Sequence, residues 1–248
     1  MKGTNMKKVY FFATCLGTAA YADTCLHAIK LLQKEGVEVI FKKDQTCCGQ
    51  PSFNSGYYEE TRKIALHNLE LFSEDYPIIV PSGSCAGVMK ADYIELFHET
   101  QHEEAFKKFG KRVYELSEYL DKILQVRYYD IGAPIKITWH SNCHALRVAQ
   151  CIPSAKNLLR SLKNVELIEL EREEECCGFG GTFSVKEPEI SGAMVKEKIA
   201  DIQSRNIDCL VSADAGCLMN ISDAMKKMGV QIPSMHLYDF IAKRIGIA

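Results

Sequence analysis

The sequence predicts an α/β protein made by tandem duplication of two Rossmann-like three-layer units, each with a mostly parallel sheet and the two related by a pseudo-two-fold axis. Three observations carry that expectation. Short apolar runs rich in β-branched and aromatic residues alternate with amphipathic stretches of helical period, the pattern of βαβ units. The same order of elements then occurs a second time. Finally, cysteine anchors recur at nearly constant offset: 128 residues from Cys15 to Cys143, 129 from Cys47 to Cys176 and 132 from Cys85 to Cys217. Around these anchors KVYFFATCLG (8–17) matches KITWHSNCHA (136–145), and DQTCCGQPSFNSG (44–56) matches EEECCGFGGTFSV (173–185). VPSGSCAGVMKADY (80–93) likewise matches VSADAGCLMNISDA (211–224). Three anchors kept in one order mark a repeat rather than a chance likeness.

Taken in order, KKVYFFAT is an apolar strand, and TCLHAIKLLQKEG is an amphipathic helix that Gly36 is placed to end. VEVIFK alternates apolar and polar side chains, as a strand at a sheet edge or with one wet face does. YEETRKIALHNLELF reads as a helix with Ile64, Leu69 and Phe72 near one face, and YPIIVPS as a buried strand. The second half repeats this with IKITWH, AKNLLRSLK, VELIELE, EISGAMVKEKIADIQSRN and DCLVSAD. Periodicity lapses in QVRYYDIGAP (125–134), where Gly132 and Pro134 interrupt the chain, so the units are expected at 1–130 and 131–248.

Charge excludes some functions. Lys and Arg number 30 against 32 Asp and Glu, a formal net charge of −2. That leaves no basic footprint for nucleic acid and no surplus for an anionic membrane. No apolar run reaches the ~18–20 residues of a transmembrane segment. Eleven cysteines is an odd number that cannot all pair within the chain, and many unpaired thiols point to a reducing, cytoplasmic setting with metal or redox work. The opening MKGTNMKKVYFFATCLGTAAYAD has the lysines, apolar stretch and Ala20-Tyr21-Ala22 of a secretory signal. The repeat argues against export, because VYFFATC is the counterpart of an internal strand and cleavage would remove Cys15.

Cys15, Cys47, Cys48 and Cys85 each follow the carboxyl end of an expected strand, where open α/β sheets bind ligands. Cys143, Cys176, Cys177 and Cys217 repeat that placement, so four thiols should converge in each half. Structural zinc usually takes ligand pairs two to four residues apart, and adjacent cysteines suit one small tetrahedron poorly. An iron–sulfur cluster is larger and is held by thiolates, so neighbouring cysteines can serve different irons. Gly49, Gly178, Gly180 and Gly181 would let backbone N–H groups approach it. His140, His144 and Arg147 lie together in WHSNCHALR, where the first half has Phe12 and Leu16 at the histidine positions. They are the candidates for a catalytic base and a carboxylate-binding cation, although a hydrogen bond beside the metal ligands is the simpler role for either histidine. Cys25, Cys151 and Cys209 have no counterparts and read as packing thiols. Trp139 reads as core and EREEE (171–175) as solvated surface. GFGG (178–181) has Phe183 where a dinucleotide fingerprint needs its last glycine, which argues against nucleotide binding.

The CCG repeats resemble those of the B subunit of heterodisulfide reductase and of the glycolate oxidase iron–sulfur subunit. DQTCCGQPSFNSGY, PSGSC, CCGFGGTFSVKEPEIS and GCLMNI are similar, over nearly the whole chain, to the lactate-utilisation protein A family. That resemblance implies up to two [4Fe–4S] clusters per chain, one on each set of four cysteines. It also implies a cytoplasmic electron-transfer subunit that oxidises L-lactate to pyruvate only with partner lactate-utilisation proteins, a ferredoxin-like iron–sulfur protein and a third subunit. The heterodisulfide reductase motif carries a fifth cysteine where this chain has Val88 and Asn220, so the non-cubane cluster and disulfide cleavage of that relative are not carried over. No flavin or nicotinamide motif is present. The alternative is a scaffold or regulatory subunit with zinc or vicinal disulfides at the cysteine sites and no redox turnover.

Overall fold

A computed structural model describes residues 7–248, and the signal-like reading of the first residues begins outside that range. Two four-stranded, all-parallel sheets carry the fold. In the first, β1 (Lys7–Phe11), β2 (Val37–Phe41), β3 (Ile78–Val80) and β4 (Val113–Glu115) lie in the order β2-β1-β3-β4. In the second, β5 (Ile135–Trp139), β6 (Val165–Ile168), β7 (Cys209–Ser212) and β8 (Ser234–His236) lie in the order β6-β5-β7-β8. Equivalent strands pair in equivalent register, Val9 opposite Val39 and Ile137 opposite Leu167. Parallel neighbours require crossover connections, which explains why helices separate the strands.

The central strand β1 buries Val9, Tyr10 and Phe11, as expected of a run apolar on both faces. The alternating β2 sits at the edge. The helix Ala22–Lys34 ends before Gly36, whose φ of +71° continues the chain in the left-handed region that a side chain would disfavour. The helix Tyr58–Leu71 buries Thr61, Ala65 and Asn68, while Ile64 and Leu69 are only half-buried. Its inward face carries polar residues beside Ala65, and one of them supports the cysteine pair: Asn68 Nδ2 donates to the Cys47 carbonyl at 3.2 Å. Strands β4 and β8, which the sequence reading did not separate, complete the sheets with three residues each.

The halves are fused rather than adjacent. One cluster of buried side chains runs from Phe11 and Phe12 through Trp139 to Tyr238 and Ile241. Asp239 accepts from Thr24 Oγ1 at 2.6 Å and pairs with His27 Nδ1 at 2.8 Å, tying the helix Leu237–Arg244 to Ala22–Lys34. Tyr238 donates its hydroxyl to the buried Glu115 carboxylate in the other half, which also accepts from Ser117. At Gly83 an added Cβ would stand 2.4 Å from Ala145 Cβ. Only glycine there lets the helix Gly83–Gly87 meet the π-helical turn Ala145–Ala149 of the opposite half. The carboxyl ends of the two sheets thereby come face to face.

Candidate metal centre

Each cysteine is placed by the turn that follows its strand. After β1, Thr14 turns the chain with φ 65° and its hydroxyl accepts from Gly17 N at 2.9 Å, starting the helix Cys15–Ala20. Beyond β2, Gly49 takes φ +87° and donates its N–H to Cys47 Sγ at 3.4 Å. Tyr93 donates its hydroxyl to the Cys48 carbonyl at 2.7 Å, so both carbonyls of the pair are fixed from beneath. Cys85 follows β3 in Gly83–Gly87. The four sulfurs converge: Cys15 and Cys47 Sγ are 3.7 Å apart, and Cys48 and Cys85 Sγ 3.3 Å.

The second half repeats the arrangement. Gly178, at φ +83°, donates to Cys176 Sγ at 3.4 Å. Cys217 lies in the first turn of Ala215–Lys227, where Asp214 caps its N–H at 3.2 Å and Asn142 Nδ2 donates to its sulfur at 3.3 Å. In each set one thiol is strongly acidic. Cys47 is held down to about 3, chiefly by S–H donation from Cys15 and then from Cys48, and Cys176 is depressed first by Cys143 and then by Cys177. The same hydrogen bonds push Cys15, Cys48, Cys143 and Cys177 up, with burial adding to the rise.

All eight cysteines line one cavity of about 300 Å³, together with Ser84, His144, Phe179 and Asp214. That the two sets share a chamber is not visible in the sequence, because repeat offsets say nothing about how the copies pack. Residues at the fifth-cysteine positions are engaged elsewhere. Val88 is fully buried in the core, and Asn220 Nδ2 donates to the Cys177 carbonyl at 2.7 Å.

The three non-thiol candidates separate. His144 is on the cavity wall with Nε2 3.1 Å from Asp92 Oδ2. Arg147 is exposed and lines a different groove, among Glu171–Glu175. His140 is fully buried behind the second set, and neither ring nitrogen has a hydrogen-bond partner among the described residues. The donor atoms of His140, Cys177 and Cys217 lie within 4.8 Å of one another. Burial, reinforced by Lys198, lowers the His140 pKa to about 4 and keeps the ring neutral. Cys25, Cys151 and Cys209 are buried away from the cavity; Cys25 Sγ donates to the Ala13 carbonyl at 3.2 Å. Trp139 is buried and donates to Ser141 Oγ at 3.1 Å.

Sulfur-only donor sets, N–H groups aimed at sulfur and an unpartnered buried imidazole form a site chemically suited to a thiolate-bound metal group.

Comparison with known proteins agrees with this architecture. The cysteine-rich CCG domain matches residues 9–90 and again 137–222. Lactate utilization protein A of Halalkalibacterium halodurans is 41% identical over 235 residues, covering 94% of this chain and 96% of that protein. The Shouchella clausii protein of the same name is 40% identical over 232 residues, covering 92% and 96%. Among solved structures, a hypothetical protein from Helicobacter pylori shares the fold with a TM-score of 0.61 at 13% identity; the alignment covers 97% of this chain and 49% of that one. Two CCG domains in one chain, matched end to end by these relatives, settle the family: the chain belongs to the lactate utilization protein A family.

Proposed function

We propose that this chain is the iron–sulfur electron-transfer subunit of a multi-protein system that oxidises L-lactate to pyruvate in the cytoplasm. The observation that carries this reading is the pair of four-sulfur sets opening on one cavity. Cys15, Cys47, Cys48 and Cys85 would hold one cluster, and Cys143, Cys176, Cys177 and Cys217 a second, each of [4Fe–4S] type and each belonging to one repeat unit (1–130 and 131–248). When bound, such clusters take up and release electrons one at a time. The chain's own groups hold the sulfurs in place. Gly49 and Gly178 donate N–H to sulfur, and Asn68, Tyr93 and Asn220 fix the carbonyls of the cysteine pairs.

Oxidising a 2-hydroxy acid requires a two-electron acceptor, a base for the hydroxyl proton and a cation for the carboxylate. His144, paired with Asp92, lines the cysteine cavity, whereas Arg147 faces another groove, so a base and a carboxylate-binding cation do not meet there. In this reading the lactate-oxidising centre lies in the partner proteins, a ferredoxin-like iron–sulfur protein and a third subunit, or at an interface shared with them, and this chain conducts. No helix among the described residues is long and apolar enough to cross a membrane, which fits a subunit that docks with partners in solution.

Anaerobic purification followed by iron, sulfide and visible-absorption measurement tests the reading. Two four-iron clusters require about eight iron and eight sulfide per chain. Zinc without sulfide would replace the conductor by the metal-stabilised scaffold.

A further inference from the structure

The two repeats place different residues at the end of their central strands. Phe12 and His140 are equivalent, at the same 128-residue offset that relates Cys15 to Cys143, and both are fully buried. Phe12 packs in the core shared by the halves. His140 carries two polar nitrogens into the interior, and neither has a partner among the described residues. Leaving a buried polar group unpaired is costly, and native proteins leave few of them so. The polar groups nearby are already engaged. Lys198 Nζ donates to the carbonyls of Arg172 and Glu173, at 2.5 and 3.3 Å. The Asp214 carboxylate accepts from Ser82, Ser84 and Cys217. Ser212 Oγ reaches the His140 carbonyl and not its ring.

What the ring does face is sulfur. A His140 nitrogen, Cys177 Sγ and Cys217 Sγ all lie within 4.8 Å of one another. A metal atom bound about 2.0–2.3 Å from nitrogen and sulfur donors draws them to within that spacing. We propose that His140 adds an imidazole nitrogen as a fifth protein ligand to the second centre, on the side of Cys177 and Cys217, so that the second centre has mixed nitrogen and sulfur ligation while the first is bound by sulfur alone. This rests on the iron–sulfur reading of the cysteine sets and extends it: the repeated sites are chemically distinct, and an electron on one is not equivalent to an electron on the other.

The test uses the whole chain, purified anaerobically after growth on 15N-histidine, with iron and sulfide counted before any spectrum is taken. Pulsed electron paramagnetic resonance of the reduced protein should show one nitrogen coupled strongly enough for a direct iron bond, on one of two centres. That coupling should vanish in His140→Phe, which installs the first half's residue, and persist in His144→Phe. Full iron and sulfide with no strong 15N coupling in the wild-type chain would overturn the proposal while leaving the cluster reading intact. A coupling that survives His140→Phe overturns it as well. Absence of iron and sulfide would defeat both. Because the unsubstituted protein supplies the decisive spectrum, the result does not depend on how the variants fold.

Discussion

Ser82 and Asp214 are the same position in the two repeats, each three residues before a cysteine of its own half, and they bond to each other: Ser82 Oγ donates to Asp214 Oδ2 at 3.1 Å. The same oxygen accepts from Ser84 N at 3.2 Å, while Oδ1 caps Cys217 N at 3.2 Å. One buried carboxylate thus holds the helix starts that carry Cys85 and Cys217.

Replacing Asp214 should therefore disturb both cysteine sets. Asp214→Ala removes a helix cap and leaves buried donors unpaired, a loss of about 2–4 kcal/mol. Ser82→Ala removes one donor of several and should cost about 1 kcal/mol. Chemical denaturation measures the stabilities, and iron content measures the sites. Iron in Asp214→Ala equal to the wild-type value would show that the cap does not position the sulfurs.

Cys177→Ser should lower bound iron by about half, and Cys48→Ser should do the same for the other set, since each thiol serves only its own set. Iron and sulfide per chain in anaerobic preparations decide this. A Cys177→Ser protein with undiminished iron would remove that thiol from the ligand set.

Glu115 gives the fold a pH dependence. Its carboxyl is 1% exposed, and burial raises its pKa from 4.5 to about 7, against the lowering effect of donors from Ser117 and Tyr238. Glu118, Cys151 and Tyr238 face it, and no salt bridge joins it to a cation among the described residues. Between pH 4.5 and about 7 the folded state therefore binds a proton that the unfolded state has released, and stability falls as pH rises through that window. The full effect is on the order of 3 kcal/mol at about 1.4 kcal/mol per pH unit. His140 and His236, both lowered to about 4 by burial, act in the opposite sense below pH 6.5, so the useful quantity is a difference. Glu115→Gln should gain on the wild-type chain between pH 5.5 and 8.5 in urea denaturation. Parallel curves for the two proteins would refute the raised carboxyl.

Cells lacking this chain should fail to grow on L-lactate and still grow on pyruvate. The purified chain alone should not reduce a dye with lactate as donor. Lactate-dependent dye reduction by the isolated, cluster-loaded protein would place the substrate chemistry here and make His144 the first residue to replace.

How much of this could be read in advance depends on what each signal encodes. The cysteine positions were legible because strand periodicity and the repeat both fix where a side chain leaves a sheet; Cys15 and Cys47, 32 residues apart, do meet at 3.7 Å. The inward face of Tyr58–Leu71 was legible only in part. Of the apolar residues the spacing points to, Phe72 is fully buried and Ile64 and Leu69 are half-buried, whereas Asn68 is buried to hold a carbonyl, and hydrophobicity does not register that task. Strands of three residues such as β4 and β8 are too short for alternation to show. The cavity between the halves depends on packing across the repeat, through contacts such as Gly83 against Ala145, and no local pattern records it.

The Ser82–Asp214 bond also bears on why the two copies occupy one chain. In a homodimer of a single repeat, the two-fold axis would set identical residues against each other at this position. Two serines would leave the helix starts without a carboxylate, and two aspartates would bury like charges in contact, which raises the pKa of one of them sharply. Covalent fusion breaks that symmetry. Each half can then carry the mutation the other cannot tolerate, and Phe12 opposite His140 is a second case of the same freedom.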